Sequence, residues 1–266
     1  TAWPTDIDTS TVQITDSHCH LEQFQDPEVV LAQAKAEGVG RVVTMGQDES
    51  SMQQALQLAH RFPQVLAGIG IHPVHVVTLS PEQLAASLKF LEEHAAQADQ
   101  IGETGLDHKW AVDDQQQAAQ EQMLERHFEI AAQHRLSVNL HSRRCLRQVM
   151  DAAIGFHRDT GLHAQLHWFT QSIKLIRQTN AAEIFVSAGP SVLYDEQAAN
   201  VACAIEDHLL LLETDAPVEI GGVPGHPQRV REVLGKLATL KGVTQEQLAQ
   251  QTEENFLRFL GQAETD

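Results

Sequence analysis

The chain has 266 residues, 42% of them hydrophobic, enough for one large domain or two small ones. Acidic residues outnumber basic ones 36 to 18, and the formal charge of -18 repels polyanions and acidic membranes, which speaks against a protein that coats duplex nucleic acid. Cys19, Cys145 and Cys203 have no paired spacing, which fits a reduced, cytoplasmic compartment. No apolar run nears the roughly 18 residues of a membrane span, and Thr1 to Ser10 has neither a basic region nor an apolar core.

Residues 1–11 read as an N-terminal extension, and 12–266 as a single domain. Val12 to Thr15 is a predicted strand that runs into Asp16-Ser17-His18-Cys19-His20. Pro27 to Glu37 then carries a helical apolar pattern stopped by Gly38, and Arg41 to Met45 reads as a second strand. Ser50 to Arg61 is a predicted helix, and Val65 to Ile71 a third strand that ends in His72-Pro73. Ser80 caps a helix over Pro81 to Ala98, with Pro at its first position. Gln100 to Glu103 is a short fourth strand, Gln115 to Arg135 a long helix, and Leu136 to Leu140 a fifth strand into His141. Arg143 to Phe156 is helical, and Leu162 to Leu166 runs into His167 as the sixth strand. Ser172 to Asn180 is a helix, Ile184 to Ser187 the seventh strand, Asp195 to Glu206 a helix, and Leu209 to Glu213 the eighth strand, into Asp215. Helices over Pro227 to Leu240 and Thr244 to Leu260 complete the chain.

Eight strand-helix alternations without a linker or short repeat predict a (β/α)8 TIM barrel of the α/β class. His18 and Asp215 are 197 residues apart over seven steps, about 28 per step, near the roughly 31 obtained when about 250 residues are divided into eight units. The rival, an open doubly wound sheet, usually has a Gly-rich first loop, and here that loop is His-rich.

In such a barrel the reacting groups come from the C-terminal strand ends, which face one mouth. Here those ends carry His18 and His20, His72, Glu103, His141, His167 and Asp215. The strand period of two puts Asp16, His18 and His20 on one face. Four imidazoles and two carboxylates, leaving His72 aside, suffice for two divalent ions that share a bridging carboxylate.

Five blocks carry a resemblance: Asp16-Ser17-His18-Cys19-His20, Gly102-Glu103-Thr104-Gly105-Leu106-Asp107, Asn139-Leu140-His141-Ser142-Arg143, Leu166-His167-Trp168-Phe169 and Glu213-Thr214-Asp215-Ala216-Pro217. In order and interval, from about Gln13 to Gly261, they resemble the signatures of the TatD family of metal-dependent hydrolases, as does Gly70-Ile71-His72-Pro73. The resemblance implies a dinuclear centre, with one ion on His18, His20, Glu103 and Asp215, the other on Glu103, His141 and His167, and Glu103 bridging. It also implies a phosphodiester substrate, such as single-stranded DNA ends, with Asp215 and Glu103 as the catalytic pair. Two divalent ions against two carboxylates and a bridging hydroxide leave a local cationic centre, which suits a phosphodiester.

Around this set, Arg143 is expected either to bind a phosphate oxygen or to pair with a surface acid from the first turn of a helix, and His72 either to contact substrate or to sit as a buried turn residue before Pro73; Asp16 and Glu213 are expected behind the ligands, Asp16 as orienter of an imidazole. Trp168 reads as packing over the barrel end ahead of the alternative, lining the pocket, and Cys19 as a small core residue. The chain departs from the family's usual pattern at Gln171 and Asn180, where Gly is common, and at His226, where an Asn-x-Pro usually stands. These departures bear on substrate identity. A mixed His and carboxylate set accepts Zn, Mn, Ni, Co, Fe or Mg, so the residues do not choose the metal, and nothing in their pattern sets an oligomeric state.

The leading functional reading is a metal-dependent phosphodiesterase or deoxyribonuclease; one Tyr and three Trp are few for stacking bases. An amide, lactone or other ester hydrolase acting on a small substrate is the alternative, although it lacks the metal-bridging strand-end Lys of many amidohydrolases. A non-catalytic binding barrel requires a lost ligand, and all six positions are filled.

Overall fold

The structure, a computed structural model, describes residues 13–262. The extension expected over residues 1–11 lies outside the described residues, as does Val12. Eight strands pair in chain order, each parallel to the next: β1 (Ile14–Cys19), β2 (Val39–Gly46), β3 (Val65–Ile69), β4 (Gln100–Asp107), β5 (Ser137–Arg143), β6 (Ala164–Leu166), β7 (Phe185–Ala188) and β8 (Leu210–Leu212). Parallel neighbours need a crossover, and helices supply it: α1 (Pro27–Ala36), α2 (Glu49–Arg61), α3 (Pro73–Thr78), α4 (Pro81–His94), α5 (Asp114–His134), α6 (Leu146–Thr160), α7 (Ile173–Ala181), α8 (Ser191–Tyr194) and α9 (Glu196–Cys203). After β8, α10 (Val230–Lys241) and α11 (Gln245–Phe259) pack against β1 and β8. The expected (β/α)8 architecture is the one observed.

Local chemistry sets the helix starts. Asp26 accepts from the Val29 amide with Pro27 next in line, and Asp48 with Ser51, Ser80 with Gln83 and Thr244 with Gln247 form reciprocal capping boxes. The strands are buried along nearly their whole length, and their outer faces meet helix residues such as Leu91, Val149, Val233 and Phe256 in one core. Within that largely apolar core runs a polar thread: Gln165 Nε2 donates to Ser17 Oγ and to Ser187 Oγ, both at 2.9 Å.

The barrel closes at its mouth. The 8-stranded ladder runs from β1 to β8 without a β8-to-β1 rung. Beyond Leu212, though, the Asp215 amide donates to His18 O at 2.9 Å and the His20 amide to Ala216 O at 2.6 Å. The seam is therefore stitched by the same short segments that carry three of the candidate ligands.

Several element boundaries shift. β1 includes Asp16 to Cys19, and β4 runs four residues past Glu103, to Asp107. Arg143, expected at the start of a helix, ends β5, and α6 begins only at Leu146. The α3 turn escapes sequence reading because Val74, Val76 and Val77 are β-branched and favour extended backbone, and α8 is only four residues long.

Candidate metal centre

Two glycines let β4 carry its carboxylates into the mouth. Gly102 and Gly105 adopt φ of 145° and 138°, and a Cβ on them would stand 2.5 Å from Asn139 O and 2.1 Å from His141 O. Only glycine permits that approach of β4 to β5, and Glu103 lies between the two. On the far side of the barrel Asp215 takes a left-handed backbone, φ 53°, which Asp tolerates better than most residues and which turns its carboxylate toward the seam.

Four of the other five expected ligands meet Glu103 directly, and the fifth, Asp215, joins them through His18 and His20. Glu103 Oε2 lies 3.7 Å from His18 Nε2 and 3.5 Å from His20 Nε2, whereas its Oε1 lies 3.0 Å from His141 Nδ1 and 3.3 Å from His167 Nε2. Asp215 Oδ1 closes the first half at 3.5 Å from His18 Nε2 and 3.4 Å from His20 Nε2. One carboxylate thus offers one oxygen to each of two imidazole pairs. Among the described residues, three groups have ligand atoms within 4.8 Å of one another: His18, His20 and Asp215; His18, Glu103 and His167; and His72, Glu103 and His141.

Each ring is held from behind. His18 Nδ1 meets Asn139 Oδ1 at 3.0 Å, His20 Nδ1 meets Met45 O at 2.9 Å, and His167 Nδ1 meets Glu213 Oε2 at 3.4 Å. His141 is turned the other way, with Nδ1 on Glu103 and Nε2 on Asp107 Oδ2 at 3.1 Å. Glu213 also accepts from Ser187 Oγ at 2.6 Å and from the Trp168 amide at 2.8 Å, which ties His167 to the polar thread in the barrel and pins Trp168 in a left-handed backbone with φ 47°. Glu213 thus stands behind an imidazole. Asp16 does not: its carboxylate accepts from the Thr214 amide at 2.9 Å, from Thr214 Oγ1 and from the His18 amide. It fixes the backbone beside Asp215 because the β1 bulge after Asp16 breaks the simple alternation that put it beside the histidines.

Sequence reading missed Asn139, Asp107 and Gln47, the last of which donates to Glu103 Oε2 at 2.8 Å. The strand period of two carries the signal for the first two, since Asn139 is two residues before His141 and Asp107 is four after Glu103. Gln47 follows the end of β2, and an amide there is not a ligand-type residue.

The electrostatics favour a cation. Burial alone would raise the Glu103 carboxyl, but the histidines around it, His72, His141, His167 and His18, hold it well below the usual carboxylate range, and Asp215 is held low against burial by His18 and His20. Conversely, burial pulls His20, His141 and His167 down, and the carboxylates win: Asp215 and Glu22 raise His20, Asp107 and Glu103 raise His141, and Glu213 and Glu103 raise His167. Protons and a divalent ion therefore compete for the same ring nitrogens. His18 Nε2 is the sharpest sign of fit. It is buried without a hydrogen-bond partner and is aimed between two carboxylate oxygens, where a ring lone pair serves as a metal ligand.

Above the cluster opens a cleft of about 530 Å³. Arg143 and His72 line it, as do Gln171 and two tryptophans, Trp110 and Trp168. The expected packing role of Trp168 gives way to a place in the cleft wall. Of the three departures from the family pattern, only Gln171 reaches the cleft. Asn180 instead joins the end of α7 to the segment after α9, through Ala204 O at 2.8 Å and the Glu206 amide at 3.3 Å. His226 meets Gln33 Oε1 at 2.9 Å and caps the turn before α10.

Comparison with known proteins adds an independent line. The family model described as TatD related DNase matches residues 15–261. The chain is 30% identical to the metal-dependent hydrolase YabD of Bacillus subtilis over 92% of this chain and 97% of that one. It is 27% identical to the human deoxyribonuclease TATDN3, over 93% and 94%. Its fold is similar to the crystal structure of YjjV, a TatD homologue from Escherichia coli, with a TM-score of 0.82 at 26% identity and coverage of 92% and 97%.

Proposed function

The chain belongs to the family of TatD-related DNases and is a metal-dependent hydrolase; from that premise we propose that it is a phosphodiesterase that cuts DNA at single-stranded or frayed ends with a dinuclear centre. The carrying observation is the division of Glu103, with Oε2 toward His18 and His20 and Oε1 toward His141 and His167. In this reading His18, His20, Glu103 and Asp215 hold one ion, and Glu103, His141 and His167 the other. Divalent ions held by these residues would lower the pKa of a bound water and neutralise charge on the phosphate.

The protein's own groups do the rest. Asp215 lines the cleft and is kept ionised by His18 and His20, so its outer oxygen is ready to take the proton of the attacking water. Arg143 lines the same cleft and supplies a planar fork of N–H donors that fits a phosphate oxygen pair. Trp110, nearly half exposed, and Trp168 give flat surfaces on which an unpaired base can stack, and they offset the general scarcity of aromatics by position. Stacking serves single strands and ends, because a duplex hides its base faces.

Purified protein loaded with Mn, Zn, Mg, Co, Ni or Fe and assayed on bis-p-nitrophenyl phosphate, a fluorescent single-stranded oligonucleotide and a panel of small esters tests this reading. Cleavage of both phosphodiesters is expected, with single strands cut faster than a blunt duplex. Turnover confined to the carboxylic esters would overturn it.

A further inference from the structure

His72 differs from the other four histidines at the centre in the direction of its hydrogen bonds. The ring nitrogens behind His18, His20, His141 and His167 all face oxygens that only accept, namely Asn139 Oδ1, Met45 O, Asp107 Oδ2 and Glu213 Oε2. Each of those rings therefore keeps a proton on the far nitrogen, and the nitrogen nearest Glu103 is the one that can give a lone pair to an ion when the ion displaces the proton there. His72 Nδ1 faces a donor instead: it accepts from the Val74 amide at 3.1 Å. An imidazole that accepts at Nδ1 is neutral and carries its proton on Nε2.

That nitrogen lies in the wall of the cleft, 3.3 Å from Glu103 Oε1. The backbone holds the ring in this pose, since the His72 amide donates to Gln47 O at 3.1 Å and the ring packs edge-on at 4.5 Å from that of His141. Turning the ring over would replace both contacts with C–H groups. Distance alone groups His72 with Glu103 and His141 as a ligand triad. Proton placement says otherwise, because a protonated Nε2 has no lone pair for a metal.

We propose that His72 is not a ligand but a fixed neutral donor, whose Nε2–H bonds a non-bridging oxygen of the scissile phosphate and stabilises the charge that grows there during attack. The inference rests on the phosphodiesterase reading for the identity of that oxygen. The group nearest His72 Nε2, the Glu103 carboxylate oxygen at 3.3 Å, is the same kind of acceptor: anionic, and set at the cleft floor. As water attacks, its proton passes to Asp215 and an O–P bond forms, while the bond to the leaving oxygen breaks with its electron pair going to that oxygen, which takes up a proton from Asp215 or solvent; His72 keeps its proton throughout, so the step needs no change in its charge. A neutral donor suits a place already surrounded by cations, because a second fixed positive charge beside the ions would repel them.

The test uses the full chain loaded with Zn, which is diamagnetic. Long-range ¹H–¹⁵N correlation on histidine-labelled protein, with the His72 signals assigned by their loss in His72→Asn, is expected to give a neutral ring protonated at Nε2. His72→Asn keeps an acceptor for the Val74 amide and removes the donor; it is expected to retain the same number of ions per chain as the wild type and to lose about 100- to 1,000-fold in kcat, as when an oxyanion donor is deleted. His72→Gln, whose amide N–H reaches as far as Nε2, is expected to stay within about tenfold of the wild type. A ring protonated at Nδ1, fewer bound ions in His72→Asn, or unchanged kcat in that variant overturns the proposal. A wild type inactive on every phosphodiester overturns the reading above instead, and the spectrum and ion count then decide alone whether His72 is a donor.

Discussion

Asn139 is uncharged and fully buried, and His18 depends on it. Replacing it with Ala takes away the acceptor that fixes which nitrogen of His18 is bare, so metal affinity is expected to fall about 10- to 100-fold in a chelator competition, with little change in fold. The residue was legible in principle, because it is on the same strand face as His141; a search for charged or ligand-type side chains passes over an amide that works through another ring. Asp107 was hidden in a different way, inside a motif whose Glu103 drew the attention, and the ligand histidines themselves were plain because strand ends in this fold face one mouth. His127 tests buried-residue electrostatics away from the ligands. Its Nδ1 meets Met123 O at 2.7 Å, its Nε2 accepts from the Ile71 amide at 2.9 Å, and burial, opposed by the bond to Met123, pushes its pKa down to about 4. Unfolded histidine titrates near 6.5, so the unfolded chain binds the extra proton first. This neutral ring stabilises the fold fully above about pH 6.5, and the contribution, on the order of 3 kcal/mol, is lost as pH falls toward 4. The melting temperature of the wild type should therefore drop more steeply over that window than that of His127→Gln; parallel pH profiles would count against the assignment.

Strand β4 shows how an element is shaped by what it must deliver. Gly105 has its missing Cβ 2.1 Å from His141 O, so Gly105→Ala must push β4 from β5 and move Glu103 and His141 apart. A cost on the order of 2–4 kcal/mol is expected from backbone strain and clash, read as a lower denaturant midpoint with unchanged slope, together with loss of bound metal. Gly155→Ala, in the middle of α6 with nothing within 4 Å of its Cβ, should leave both unaltered or raise stability slightly. The pattern of the sequence carried the alternation of strands and helices well, because capping residues such as Ser80 and Asp26 and the buried strand runs state it locally. It did not carry the ends. β5 extends to Arg143 because its partner β4 extends to Asp107, and their pairing is a tertiary fact with no local signature. That extension puts Arg143 on a strand end in the cleft rather than on a helix.

At the scale of the molecule, a net charge of -18 surrounds a centre built to collect cations. The field opposes the approach of a polyanion, so for a long single-stranded oligonucleotide kcat/KM is expected to rise severalfold between about 10 and 150 mM salt, the reverse of a basic nuclease; a steep fall would mean that phosphate contacts on the surface dominate. The barrel seam couples binding to stability, because His18, His20 and Asp215 both face the site and close β1 onto β8 through backbone hydrogen bonds. Removing bound metal with a chelator should therefore lower the melting temperature by several degrees, and the affinity should weaken as pH falls through the raised pKa values of His20, His141 and His167, since protons take the same nitrogens. The shared carboxylate is the hinge of the whole account. The most direct measurement is the number of divalent ions per folded chain in the wild type and in Glu103→Ala, by elemental analysis after equilibration and desalting, with circular dichroism to confirm the fold. Two ions in the wild type and at most one, weakly held, in the variant are expected; two ions retained by a folded Glu103→Ala would contradict a centre bridged by Glu103.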